Sequence, residues 1–194
     1  MNKLIIIVSF ILLSSFQLKA GNIIVDISQL NDRNDTMYYQ AKLFTGISVM
    51  KMNNGNLLLK TTYKDGLPNG LETTFFSNGN KRSESMMHNG KYNGSVKHYY
   101  ESGQLKSNET YKEDYKFGSA VYYYENGQVM RTGIYSDCKE IGLWVEYYAN
   151  GTKKAEGQYT EAQKSGVWNY WDEEGKLVKT TNHSQQKSNM LFGN

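Results

Sequence analysis

The chain has 194 residues, enough for one ordinary domain or one short array of repeats. Its 22 lysines and arginines face 19 acidic residues, and two of the basic ones, Lys3 and Lys19, lie in a leader expected to be removed, which leaves 20 against 19. That balance argues against nucleic acid or an anionic membrane surface as the main partner, while sixteen tyrosines and three tryptophans beside a single proline describe an aromatic-rich β protein.

Met1 to Ala20 reads as a secretory signal peptide. Lys3 supplies the positive start, Leu4 to Phe16 the apolar stretch, and Leu18-Lys19-Ala20 a cleavage site before Gly21. The apolar run is about thirteen residues, short of the roughly 20 needed by a spanning helix. No cysteine stands near the site to carry a lipid. The expectation is export, to the periplasm, the cell surface or the medium.

Residues 21–45 form an amino-terminal cap that is out of register with the rest of the chain. Ile23 to Ile27 reads as a strand, Asn31 to Asp35 as a turn and Met37-Tyr38-Tyr39 as a second strand. Terminal units of arrays are commonly atypical because something must cover the exposed end of the sheet.

From Gly46 to His183 the chain repeats every 24 residues. Glycines stand at 46, 70, 94, 118, 142 and 166, and a second set stands at 55, 79, 103, 127, 151 and 175. A third register reads Tyr63, Met87, Tyr111, Tyr135, Tyr159 and His183. Gly66 and Gly90 share one further register and Gly133 and Gly157 another, so glycine here serves backbone geometry, not phosphate binding. Each unit opens on an aromatic and β-branched run such as Val121-Tyr122-Tyr123-Tyr124, which fits a short strand. A turn comes next, as at Asn54-Gly55, Asn78-Gly79, Asn126-Gly127 and Asn150-Gly151, where Asn-Gly accepts the positive φ of a tight hairpin. A second strand such as Gln128 to Tyr135 returns, and a polar loop such as Lys64 to Asn69 leads to the next unit. Self-similarity at this period predicts an all-β, extended, twisted antiparallel sheet of about six tandem β-hairpins, or twelve strands.

Alternation along strands places Phe75, Tyr99, Tyr123, Tyr147 and Trp171 in one row, with Phe76, Tyr100, Tyr124 and Tyr148 pointing the other way. Ladder packing is the favoured role for every aromatic in register. If one row instead stays accessible to a ligand, the candidates are Tyr99, Tyr123, Trp144, Tyr147, Trp168 and Trp171, with Trp144 and Trp168 foremost. Residues 184–194 read as a polar tail carrying Met190-Leu191-Phe192.

The pattern Gly-x-Trp-x-x-Tyr-Tyr-x-Asn-Gly-x-x-x-x-x-Gly-x-Tyr from Gly142 to Tyr159 resembles the bacterial variant of the MORN repeat. The resemblance extends over about Gly46 to His183, weakest at its two ends. Leu43-Phe44-Thr45-Gly46 is similar to the family's Phe-Thr-Gly entry. Proteins of this kind include the YwqK-family antitoxins, and the resemblance implies a MORN-like hairpin sheet and an antitoxin-like or immunity-like role.

Little in the chain points to chemistry. His88, His98 and His183 are far apart and without a cysteine pair, so neither a metal nor another cofactor is expected. No serine sits in a Gly-x-Ser-x-Gly elbow, and neither a P-loop nor a dinucleotide fingerprint occurs. Glu84, Glu109, Glu146 and Glu156 read as solvated strand residues. Cys138, the single cysteine, lies in a loop and offers either a free thiol or a bridge between two chains. The expectation is a non-enzymatic scaffold that binds another protein. Its rivals are a cell-wall or glycan-binding module that uses the aromatic rows, and a membrane-associated scaffold.

Overall fold

A computed structural model describes residues 23–183; the predicted signal peptide and the tail lie outside the described residues. The first part of the chain forms β1 (Ile24–Asp26), β2 (Asn31–Asp32), β3 (Met37–Tyr39) and β4 (Lys42–Leu43), with one 3₁₀ turn, Ile27–Gln29, capped by Asp26. The repeats then supply β5 (Gly46–Lys51), β6 (Leu57–Lys64), β7 (Leu67–Phe75), β8 (Lys81–His88), β9 (Lys91–Tyr99) and β10 (Leu105–Lys112). They continue with β11 (Tyr115–Tyr123), β12 (Val129–Ser136), β13 (Lys139–Tyr147), β14 (Lys153–Thr160), β15 (Gln163–Trp171) and β16 (Leu177–Asn182). The twelve strands β5 to β16 succeed one another as an unbroken antiparallel meander. β1 adds a thirteenth strand, parallel to β5, and β2, β3 and β4 make a separate small sheet.

The two kinds of connection are the reverse of what the sequence predicts. The Asn-Gly segments do not form two-residue turns. Gly79 N donates to Phe76 O at 3.0 Å and Phe76 N donates to Asn80 O at 2.8 Å, with positive φ at Gly79 alone. This is a three-residue turn that ends in a bulge, and the register shifts between Thr74 and Phe75 beside it. Asparagine contributes by its side chain: Asn78 Oδ1 accepts from Asn80 N at 2.9 Å, and Asn126 and Asn150 repeat the contact.

The stretches predicted as polar loops are the tight turns. Asp65-Gly66, Glu113-Asp114, Asp137-Cys138 and Glu161-Ala162 all have positive φ at both residues, the mirror-image turn whose twist matches that of paired strands. Lys64 therefore ends β6, and Leu67-Pro68-Asn69 begins β7. Strand pairing enforces this geometry even where no glycine relieves it.

Both edges of the sheet are tied together by contacts at a fixed sequence offset. On the bulged side, Tyr100, Tyr124 and Tyr148 each donate a hydroxyl to the carbonyl 23 residues on, at Tyr123, Tyr147 and Trp171, over 2.7, 2.8 and 2.8 Å. Asn78, Asn126 and Asn150 donate to Glu101 O, Ala149 O and Glu173 O at 2.8–3.1 Å. On the tight-turn side Gly90, Asp114, Cys138 and Ala162 donate backbone N–H groups to Pro68, Tyr92, Lys116 and Glu140, at 2.8–3.1 Å. Gly66 N makes the same bond to Phe44 O at 2.8 Å, so the cap joins the series. Phe44 packs with Val25 and Tyr63 beneath it.

Burial obeys the period-two alternation of strands, and a middle row of one face is covered. Ser48, Thr61, Ser85, Val96 and Glu109 are buried in its first half, and Ala120, Trp144 and Trp168 in its second. The opposite face leaves Leu71, Met86, Leu143 and Val167 exposed. Each tryptophan lies flat on a glycine of the neighbouring strand: a Cβ at Gly133 would sit 2.1 Å from Trp144 Cδ2, and one at Gly157 would sit 2.3 Å from Trp168 Cδ2. These two glycines supply space, not backbone freedom.

Two measurements test this account. Gly157→Ala pushes Trp168 off its strand and destabilises the protein by about 2–3 kcal/mol, as overpacking does. A lower urea midpoint with red-shifted tryptophan fluorescence is expected, and an unchanged midpoint would refute the stacking. Ala162→Gly relieves a left-handed alanine, φ 63, and raises stability by about 0.5–1 kcal/mol net of the added unfolded-state entropy. A loss of stability would show that the turn carries no strain.

Candidate binding face

The six aromatics proposed as ligand contacts divide between the two faces of the sheet. Trp144 and Trp168 are 0% exposed and offer no ring face to a ligand, which corrects their place among the candidates. The physical reason is stacking in series. Tyr135 meets Trp144 edge-on at 5.2 Å and Tyr159 meets it at 6.1 Å. Tyr159 meets Trp168 at 5.1 Å, and Tyr170 stands beyond it at 6.2 Å. Arg131 lies 4.1 Å from the Trp144 ring centre and Lys164 Nζ 3.9 Å from that of Trp168, so cations close over the remaining ring faces. Tyr99, Tyr123, Tyr147 and Trp171 are half-buried and alternate to the opposite face. The structure does not bring these six residues into one site.

The tryptophan face also holds charge. Lys116 Nζ sits 2.5 Å from Glu109 Oε2, a charge contact without the alignment of a hydrogen bond, and Arg131 donates to Glu140 Oε1 at 2.6 Å. Burial opposes the charge of Lys116, but the Glu109 carboxylate outweighs it and the ammonium pKa rises. On the other face Tyr99 donates to Glu84 Oε2 at 2.5 Å, and Lys81 holds the second oxygen of that carboxylate. Lys81 and Tyr99 together lower the pKa of Glu84.

Several open grooves cross the strands. One, of about 450 Å³, is lined by Phe76, Arg82, His98, Tyr99, Lys106, Ser107, Glu109 and Tyr122. The next, of about 410 Å³, shares Arg82 and His98 and adds Met50, Leu58, Leu59, Thr74, Phe75 and Ser83. A third, of about 430 Å³, has Val121, Gln128, Val129, Thr132, Tyr147 and Gly151 along it. Sequence reasoning missed Arg82 and Lys106. They are the unpaired residues of bulges, since Ser83 pairs with Thr74 and Lys81 with Phe75, while Ser107 pairs with His98 and Leu105 with Tyr99. A bulge residue escapes strict alternation, and simple parity puts it on the wrong face. The usable signal was their shared register, 24 residues apart.

Among the described residues no group of three histidines, cysteines or carboxylates is placed to hold a metal ion. No helix of the described residues is long and apolar enough to cross a membrane. Cys138 is exposed in its turn, and its Sγ accepts from Lys116 N at 3.3 Å.

A hairpin sheet with one period, tied along both edges and, among the described residues, without a second sheet layered over β7 to β16, defines a β repeat protein. Residues 92–113, 118–137 and 140–161 match the MORN repeat variant. Each matched stretch holds one hairpin with its bulged turn, from β9 to β14. No curated protein matches the chain. Among solved structures, one described as the crystal structure of a GtfA/B complex bound to UDP and GlcNAc is 11% identical, with a TM-score of 0.20. That alignment covers 84% of this chain but only 26% of the other, so the chain spans about a quarter of the protein it matches.

The tyrosines of both faces make the fold alkali-sensitive. Burial pushes the hydroxyls of Tyr63, Tyr92, Tyr111, Tyr122, Tyr135 and Tyr159 above 10.0. Burial and then the bond to Glu84 bring Tyr99 to about 12. The folded chain holds these protons more tightly than the unfolded one. Their contribution is therefore complete below pH 10 and is lost as pH rises through about 12. The urea midpoint is expected to fall across that window, and a flat profile would contradict the burial.

Proposed function

We propose that this protein is an exported, non-catalytic scaffold that holds another protein along its sheet. The observation that carries this reading is the combination of grooves and linked edges. Open grooves cross several strands, and the fixed-offset bonds at both edges keep those strands in register. Recognition is then spread over an extended surface, as in other repeat arrays. The match to the MORN repeat variant supports a repeat scaffold. The sharper role is an antitoxin-like or immunity-like one, in which the partner is a toxin acting in the cell envelope. A cell-wall or glycan-binding reading, which rests on the aromatic rows, has less support because Trp144 and Trp168, the foremost candidates in those rows, are covered.

Affinity capture tests the proposal. Immobilised protein is exposed to native envelope extract, and the retained proteins are identified by mass spectrometry. One protein held at near-equal stoichiometry is the expected result, and its loss when the extract is first treated with protease would confirm its nature. Retention of polysaccharide or lipid alone would overturn the reading.

A further inference from the structure

The two grooves that share Arg82 and His98 mark where this array departs from its own repeat. Phe76 occupies the register in which Tyr100, Tyr124 and Tyr148 each donate a hydroxyl to the next unit. Phenylalanine brings no such donor to the carbonyl of Tyr99, which lies on the groove. His98 takes the register of Tyr122 and Tyr170. Arg82, His98 and Lys106 come from β8, the neighbouring β9 and the turn-proximal bulge of β10, where Ser83 pairs with His98 and His98 with Ser107. Three adjacent strands span about 10 Å, so the three basic side chains meet over one short stretch of groove.

The charges of Arg82 and Lys106 are not answered locally. The ion pairs of the described residues engage Lys81, Lys91, Lys116, Arg131, Lys139 and Lys153, not Arg82 or Lys106. Lys106 instead rides over the Tyr100 ring, 5.5 Å from its centre. Glu109, the carboxylate that borders the groove, is covered and neutralised by Lys116 at 2.5 Å. On one side of this basic point lie Met50, Leu58, Leu59 and Phe75, and on the other Phe76 and Tyr122. The whole chain is close to charge balance, so this is a local feature and not general basicity.

We infer that this double groove binds an extended acidic segment of a partner protein, with a carboxylate on Arg82, His98 and Lys106 and an apolar side chain against Met50 and Leu59. An extended chain presents alternate side chains on one face at about 6.8 Å spacing, which suits adjoining cationic and apolar sections. The inference rests on the protein-binding reading and specifies the chemistry of the partner.

The test measures fluorescence anisotropy of the purified chain with a short labelled peptide. The peptide carries glutamate and leucine at alternate positions in a serine and glycine background. Binding is expected to weaken about tenfold or more in the Arg82→Gln/Lys106→Gln variant, and to weaken with added salt. Lys60→Gln/Lys97→Gln, on the other face, should leave binding unchanged, and thermal melts followed by circular dichroism confirm that both variants fold. A peptide with glutamine for glutamate should fail to bind, and one with serine for leucine should bind more weakly. Equal binding by the groove variant, equal binding of the glutamine peptide, or no binding at all would overturn the inference. Binding of heparin in place of the peptide would overturn it as well. If affinity capture still retains a protein and the groove variant retains it equally, only this inference falls. If capture retains no protein, the scaffold reading falls as well.

Discussion

A hydrogen bond that leaves one hairpin and lands on the next is the contact on which this architecture depends. A sheet without a second layer cannot rely on a hydrophobic interior sealed between two surfaces. Each strand must be held by its lateral neighbours and by what happens where the chain reverses. The tyrosine hydroxyls and asparagine amides on one edge, with the turn amides on the other, answer backbone groups that the strand ladder leaves over at those ends. A net contribution of about 1 kcal/mol for such a bond is modest. Repetition along two edges turns it into the means by which strand order becomes a fixed surface.

The same links explain why the middle row tolerates such different residues. Ser48, Thr61 and Ser85 occupy it early in the array, and Trp144 and Trp168 occupy it later. The later rings are accommodated because Gly133 and Gly157 leave room beneath them and tyrosines stand edge-on at their sides. In the earlier units small side chains face Glu72 and Val96 across the same strands. On this face the first units therefore keep open grooves where the rings of the later ones fill the space.

Much of this was legible in the sequence, and the failures have physical causes. The spacing of glycines and tyrosines carries the period, the hairpins and their antiparallel order. Asn-Gly misleads because it is a strong signal for a two-residue turn, whereas here asparagine anchors the turn by its side chain and glycine alone turns left-handed. Glu161-Ala162 carries no turn signal at all; pairing of the flanking strands imposes its conformation. Register alone favours packing for Trp144 and Trp168, but sequence cannot show that Arg131 and Lys164 close over them. Arg82 and Lys106 are hidden by the bulges that contain them.

Constant offsets have a consequence for how such a chain changes over generations. Every link joins a residue to the same place in the adjoining unit, 23 residues away on one edge and 22 on the other, so duplicating or deleting a block of 24 residues returns each donor to an equivalent acceptor. A single-residue insertion within a strand would turn all side chains beyond it to the opposite face and break both edges at once. The array can thus lengthen or shorten in whole units while its neighbours remain undisturbed, and the reach of its surface is adjustable without redesign of any one hairpin.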